Sequence, residues 1–95
     1  MYHQDYEQYD RTALAAIWQQ RANNIQAELE HGHERPARAR GDHRAAAAYD
    51  KEALAIYIEY HQTRGREQRI ATMRRWDARL AELKAARAEP ARHAS

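Results

Sequence analysis

Large apolar side chains recur at intervals of three and four residues in three stretches of the chain, a spacing typical of helices packed against one another. No stretch shows the alternation of apolar and polar residues that marks a β-strand. The three series are Leu14, Trp18, Ala22, Ile25 and Leu29, then Tyr49, Ala53, Ile56 and Tyr60, then Met73, Trp76, Leu80 and Leu83. Alanine, the residue that loses least on entering a helix, supplies 21 of the 95 residues. The sequence therefore predicts an all-α fold.

Capping and breaking residues divide this pattern into a small three-helix bundle. We predict helices over about 6–31, 43–63 and 66–88. Gly32 is a natural stop for the first helix, because glycine adopts the left-handed closing conformation without strain. Asp42 is placed to cap the second helix.

The remaining segments are predicted from their composition. The stretch 33–41 contains three Arg and Pro36 without an apolar period, which predicts an exposed Arg-rich loop. We predict a flexible C-terminal tail over residues 89–95. We treat the whole sequence, residues 1–95, as one helical domain. Gly65 leaves an alternative open: if it kinks a helix instead of ending one, the fold is a helical hairpin with one long kinked helix.

The core of such a bundle is thin. The chain has no Phe, Val or Cys, and its large aliphatic residues are five Leu, five Ile and two Met. Burying one such side chain fully is worth roughly 1.5–3 kcal/mol, so a second copy or a partner would add stability. Because the core is thin, we expect a homo-oligomer, most simply a dimer.

The second helix has an unusually wide apolar arc, which Leu54, Tyr57 and Ile58 extend. An arc of this width predicts that the second helix is central.

Several classes of protein are excluded or disfavoured. The absence of Cys removes disulfides, thiolate catalysis and cysteine zinc sites. No apolar run approaches the roughly 20 residues of a membrane span, and the N-terminus does not resemble a signal peptide. The single Ser is Ser95, and the isolated glycines form no phosphate loop. We expect a cytoplasmic protein that is not an enzyme, has no cofactor and does not enter a membrane.

Arginine is the most conspicuous charged residue. Residues 1–34 carry two Arg against six acidic groups, whereas residues 35–95 carry 14 basic against eight acidic groups. Guanidinium groups bind phosphates in a bidentate manner, so clustered arginines are candidates for nucleic-acid binding. The candidates are Arg35, Arg38, Arg40, Arg64, Arg66, Arg69, Arg74, Arg75 and Arg79. No motif for recognising a base sequence, such as a helix-turn-helix, accompanies these arginines. The alternative is therefore a basic helical face that only contacts solvent.

Histidines near the end of the first helix are candidate metal ligands. His31 and His33 precede the predicted loop and His43 follows it, with acidic residues close by in the sequence. Imidazole and carboxylate together are an ordinary zinc set. Solvated loop histidines are the alternative to this metal site.

An aromatic stripe begins the chain. Tyr2, Tyr6 and Tyr9 fall on one helical face and are interleaved with acidic residues. Tyrosine is favoured in contact surfaces because it brings area with little rotamer entropy. The three tyrosines are candidate partner-binding residues, and the alternative is that they extend the core.

These features predict a non-catalytic helical protein-binding module that self-associates and docks on a protein partner. Adaptors, inhibitors and accessory subunits of bacterial or phage systems are proteins of this type. The alternative is an accessory protein that binds nucleic acid through its arginines. A metal-binding helical bundle is the third hypothesis.

Overall fold

The computed structural model describes residues 5–88, and over that range the chain is an all-α three-helix bundle without a strand. The predicted all-α bundle is thus confirmed. A short 3-10 turn, Tyr6–Gln8, precedes the helices. The predicted tail at 89–95 and Tyr2 lie outside the described residues. The helical elements are α1 (Arg11–Leu29), a π-helical segment (Glu30–Glu34), α2 (Arg35–Ala39), α3 (His43–Gln62) and α4 (Arg66–Ala88).

The first three of these elements form one continuous helical rod, where the sequence predicts a loop over 33–41. That prediction is wrong as far as Ala39. Leu29, His33 and Ala37 are all buried, and their four-residue spacing extends the buried side of α1 through the predicted loop. Burial of this side against α3 therefore outweighs the weak local helix signal.

The rod ends at Gly41 and not at the predicted stop, Gly32. Gly41 has a φ of +81°, in the left-handed region that residues with a Cβ atom avoid. The Gly41 N–H donates to the carbonyl of Arg38 (3.0 Å), and the Asp42 N–H donates to that of Ala37 (2.9 Å). This is the Schellman pattern of a helix C-terminus. Asp42 then caps α3 through its side chain, as predicted.

The π-helical segment lies where a proline and a glycine disturb the helix. Pro36 has no N–H to donate, and a proline ring crowds the carbonyl four residues earlier, here that of Gly32. The wider turn over Glu30–Glu34 ends two residues before Pro36 and contains Gly32, the residue whose carbonyl a proline ring would crowd. A Cβ atom at Gly32 would lie 2.6 Å from Oε2 of Glu28, so a larger residue here would displace the Glu28 carboxylate.

α3 and α4 are separate helices, so the alternative of one long kinked helix is wrong. α3 ends at Gln62, and Thr63 has extended backbone angles. Gly65 has a φ of +89°, which a helix does not allow, and α4 begins at the next residue. The two helices are therefore joined by a short connection.

The core lies between α1 and the two later helices. Trp18 stacks on Trp76 of α4, with ring centroids 4.7 Å apart, and on Tyr60 of α3, with centroids 5.6 Å apart. α1 packs along both α3 and α4, so the central helix is α1 and the prediction that the second helix is central is wrong. α3 approaches α4 chiefly through long polar side chains, such as the hydrogen bond from Trp76 Nε1 to Glu59 Oε1 (2.9 Å).

Candidate docking face on helix α3

Three large apolar side chains of α3 lie largely in solvent. Leu54 is 56 % exposed, Tyr57 51 % and Ile58 42 %. Positions three and four residues apart are neighbours on a helix surface, so the three side chains adjoin one another. The other side of the helix, with Ile56 and Tyr60, packs on the core. We name Leu54, Tyr57 and Ile58 the α3 face.

Polar groups border the α3 face at both ends. Asp50 is exposed one turn before Leu54, and His61 is exposed one turn after Tyr57. The rings of Tyr57 and His61 meet edge to face, with centroids 4.5 Å apart. An apolar centre bordered by a carboxylate and an imidazole has the composition of an interface core with a polar rim.

The sequence predicts that the residues of the α3 face are covered by a neighbouring helix. The signal in the sequence is an apolar arc wider than a single helix contact needs. An arc of that width requires two covered sides, and α1 covers only one of them. The surplus apolar surface is therefore real, and within residues 5–88 it has no occupant.

The predicted tyrosine stripe does not form an exposed surface. Tyr6 is completely buried, and its hydroxyl donates to Asp77 and accepts from Nε of Arg21 (3.0 Å). Burial, followed by the hydrogen bond to Asp77, raises the pKa of Tyr6 to about 12. Tyr9 is half-buried and packs against the core, and Tyr2 is not among the described residues. The prediction of Tyr6 as a partner-binding residue is wrong, because the 3-10 turn places its side chain against α4.

The arginines of α4 and of the turn before it are engaged within the molecule. Arg79 makes a bidentate contact with the carboxylate of Glu52, donating from Nε (2.7 Å) and Nη2 (2.9 Å). Arg66 donates to the backbone carbonyls of Glu7 (2.8 Å) and Tyr9 (2.7 Å). The remaining contacts are those of Arg64 with the carbonyls of His61 and Thr63, Arg69 with the carbonyl of Thr63 and the ring of Trp18, Arg74 with Glu7, and Arg75 with Glu59. A phosphate would have to compete with these contacts.

The arginines of the predicted loop differ among themselves. Nη2 of Arg35 lies 2.8 Å from Glu30 Oε2, and Nη2 of Arg38 lies 2.6 Å from Glu34 Oε2. Arg40 has no such partner in the part of the chain that the structure describes. Of the arginines predicted to bind phosphate, Arg40 is thus the one whose guanidinium keeps all its donors for another molecule.

The three histidines predicted as metal ligands do not converge. His33 is buried, with its Nε2 atom 3.1 Å from Oε2 of Glu28 and its ring against Tyr49, at a centroid distance of 5.1 Å. His31 is exposed, and His43 is exposed at the start of α3. In the described part of the chain, no group of three or more His, Asp or Glu side chains is placed to hold a metal ion. His31, His33 and His43 therefore do not form the predicted site.

Glu28 is the centre of a polar network that sequence reasoning missed. Its side chain is only 9 % exposed, and it accepts from Nε (2.7 Å) and Nη2 (3.0 Å) of Arg87. The hydrogen bond from Arg87, the largest of several causes, lowers the pKa of Glu28, and His33 adds to this effect. The network joins α1 to the last turn of α4. No local pattern predicts it, because Glu28 and Arg87 are 59 residues apart.

Replacing Arg87 by Gln is expected to destabilise the fold at neutral pH and to have less effect in acid. The pKa of Glu28 is lower in the folded chain than its ordinary value of 4.5, so its contribution is complete above that value and is lost as the pH falls. Urea unfolding of the wild type and the variant at about pH 7 and about pH 3 measures this dependence. The difference between them should narrow at the lower pH.

Arg44→Gln is a matched control for this experiment, because Arg44 is exposed at the start of α3 and has no partner among residues 5–88. Its effect on the unfolding free energy should be small at either pH. A gap between wild type and Arg87→Gln that is equally wide at both pH values would contradict the assigned role of Glu28.

Comparison with known proteins assigns no class to the chain. No family model, no curated protein and no solved structure matches it. Among residues 5–88, no helix is both long enough and apolar enough to cross a bilayer. Leu54, Tyr57 and Ile58 of the α3 face are the large apolar residues that residues 5–88 leave exposed.

Proposed function

We propose that this chain is a non-catalytic protein-binding module that pairs with a second copy of itself through the α3 face. The observation that supports the proposal is the exposure of Leu54, Tyr57 and Ile58 side by side on one helix. Removing apolar surface from water drives association roughly in proportion to the area buried. In a bundle with so few large apolar residues, this gain is a substantial addition to stability.

The length of α3 suits such an interface. Its 20 residues extend about 30 Å at 1.5 Å per residue. A standard interface buries about 800 Å² on each partner. The molecule exposes 6834 Å², so an interface of that size would cover roughly an eighth of its surface.

The polar groups beside the α3 face are self-complementary in an antiparallel pairing. The pair Leu54 and Tyr57 and the pair Asp50 and His61 are centred on the same point of α3. Any antiparallel register that pairs Leu54 with Tyr57 of a second copy therefore also pairs Asp50 with His61 of that copy. This arrangement repeats at both ends of a twofold interface, because the same surface is used twice. It favours a second copy over an unrelated helix as the occupant.

Nucleic-acid binding, the alternative predicted from the sequence, has less support. The guanidinium groups of Arg66 and Arg79 already donate to carbonyls and carboxylates within the molecule. Binding to a phosphate backbone would require breaking such contacts, some of which hold α4 to α3. The α3 face has no competing occupant among the described residues, and we therefore favour protein binding.

The double variant Leu54→Glu with Ile58→Glu is expected to convert a dimer into a monomer. Two carboxylates in the centre of an apolar interface lose their hydration without gaining a partner, at a cost of several kcal/mol. Light scattering behind size exclusion, at about 100 µM protein, distinguishes the 11.1 kDa chain from a species of twice that mass. Circular dichroism confirms that the variant is still helical.

A matched control carries two glutamates at exposed alanines outside α3, Ala16→Glu in α1 and Ala78→Glu in α4. This control should remain a dimer. A wild-type chain that elutes as a monomer at several hundred micromolar would overturn the proposal. A dimer that survives both glutamates in α3 would equally overturn it.

A further inference from the structure

An open cleft of about 830 Å³ lies beside the π-helical segment, between the first rod and the last turns of α4. Its volume falls in the range of small-molecule sites, roughly 300–1,000 Å³. π-helical turns are rare and occur frequently at functional sites. We name this space the π cleft. It is separate from the α3 face, and binding of a ligand there does not require the proposed dimer.

Among the described residues, the π cleft is lined by more cations than anions. Arg40, Lys84 and Arg87 contribute positive charge, and Glu28 is the one carboxylate that residues 5–88 place there. Three cations and one carboxylate give this described lining a net charge of +2 before any histidine is protonated. Arg40 and Lys84 have no hydrogen-bond or ion-pair partner among residues 5–88. The cleft therefore offers positive charge that the described fold does not use.

The two cations that α4 contributes to the π cleft lie next to each other. Lys84 and Arg87 are three residues apart and so lie on the same side of the helix. Glu28 holds Arg87 through its Nε and Nη2 atoms. The Nη1 atom makes no hydrogen bond within the described chain, and half of the side chain is exposed. Arg87 is thus fixed in place while part of its guanidinium remains open to a ligand.

Apolar and aromatic surface completes the cleft. Pro36 and Leu80 line it from opposite helices, and the ring of Tyr49 lies beside that of His33. Gly32 keeps the space open, because a Cβ atom there would lie 2.6 Å from Glu28 Oε2 and 3.2 Å from the side chain of Arg87. The cleft therefore combines a cationic rim with an apolar wall.

We propose that the π cleft binds a small phosphate monoester, with its phosphate at Arg40, Lys84 and Arg87 and its apolar or aromatic part against Tyr49 and Leu80. A phosphate dianion neutralises a net charge of +2, whereas a single carboxylate would leave an unpaired cation. Guanidinium and ammonium groups form strong charge-assisted hydrogen bonds with phosphate oxygens. The wall of the cleft supplies contact area that a bare ion does not use.

Titration of the isotope-labelled full chain with phenyl phosphate, followed by amide NMR shifts, tests the proposal. Saturable shifts should centre on Gly32, His33 and the last turns of α4. Phenyl phosphate should bind at least about tenfold more tightly than inorganic phosphate or phenol. Inorganic phosphate lacks the ring that contacts the apolar wall, and phenol lacks the phosphate that binds the cations. Lys84→Ala and Arg40→Ala should each weaken binding by about tenfold, the effect of one lost charge-assisted hydrogen bond.

Two matched variants serve as controls, Lys51→Ala and Arg44→Ala, because both residues are exposed on α3 and neither lines the cleft. They should bind phenyl phosphate like the wild type. Equal binding of inorganic phosphate and phenyl phosphate would identify an adventitious ion only and overturn the proposal. The absence of saturable shifts up to about 20 mM, or equal losses in Lys84→Ala and Lys51→Ala, would also overturn it.

Discussion

Replacing Trp76 by Ala is expected to destabilise the bundle by about 3–5 kcal/mol, a large share of the roughly 5–15 kcal/mol that stabilises a typical domain. Trp76 is 3 % exposed and stacks on Trp18, and its Nε1 atom donates to Glu59. The substitution removes the aromatic stack between α1 and α4 and leaves a cavity. Thermal unfolding followed by circular dichroism measures the effect as a lower and broader transition.

The conservative variant Trp76→Phe separates the two contributions of this side chain. It keeps an aromatic ring against Trp18 and loses the hydrogen bond to Glu59, so we expect a smaller loss of about 1–2 kcal/mol. An alanine variant whose unfolding midpoint matches that of the wild type would show that α1 and α4 do not pack through this pair of rings.

Replacing Tyr6 by Ala is the second change with a large expected effect, about 3 kcal/mol. Tyr6 is fully buried, and its hydroxyl links Asp77 of α4 to Arg21 of α1. Removing the ring opens a cavity and leaves Asp77 without the hydroxyl that it accepts from. Urea unfolding at neutral pH gives the free energy directly.

Two further variants separate the contributions of the Tyr6 ring, the Tyr6 hydroxyl and the neighbouring Tyr9. Tyr6→Phe keeps the buried ring and loses only the hydroxyl, so we expect it to be less harmful than Tyr6→Ala. Tyr9→Ala should be milder, since Tyr9 is only half-buried. If Tyr6→Ala left the unfolding free energy unchanged, the N-terminal tyrosines would be surface residues after all, as an interface requires.

Much of the fold was predictable because it depends on local spacing. The first helix buries Leu14, Trp18, Ala22, Ile25 and Leu29, which are the residues of the predicted stripe. α4 spans Arg66–Ala88, the predicted bounds, and α3 begins directly after the predicted cap, Asp42. Periodicity and capping are properties of adjacent residues, so a single sequence records them.

The features that were not predicted depend on partners distant in the sequence. Gly32 is a helix breaker by composition, yet burial of His33 and Ala37 against α3 keeps the rod helical. The arginines are a basic cluster by composition, yet carbonyls such as that of Glu7, 59 residues from Arg66, occupy them. Spacing likewise shows how wide an apolar arc is but not how many neighbours cover it. For that reason the sequence predicts a second neighbour over the α3 face, whereas the structure leaves its three side chains exposed.

The position of Tyr6 has a consequence for the order in which the molecule folds. Its hydroxyl meets Asp77, 71 residues away, and Arg66 reaches back to the carbonyls of Glu7 and Tyr9. Loop-closure entropy rises with the length of chain enclosed, so such contacts are expected to form after neighbouring helices have paired. The N-terminal segment then closes the fold last. Its opening would expose the side of α4 that carries Asp77 while the three helices are still assembled.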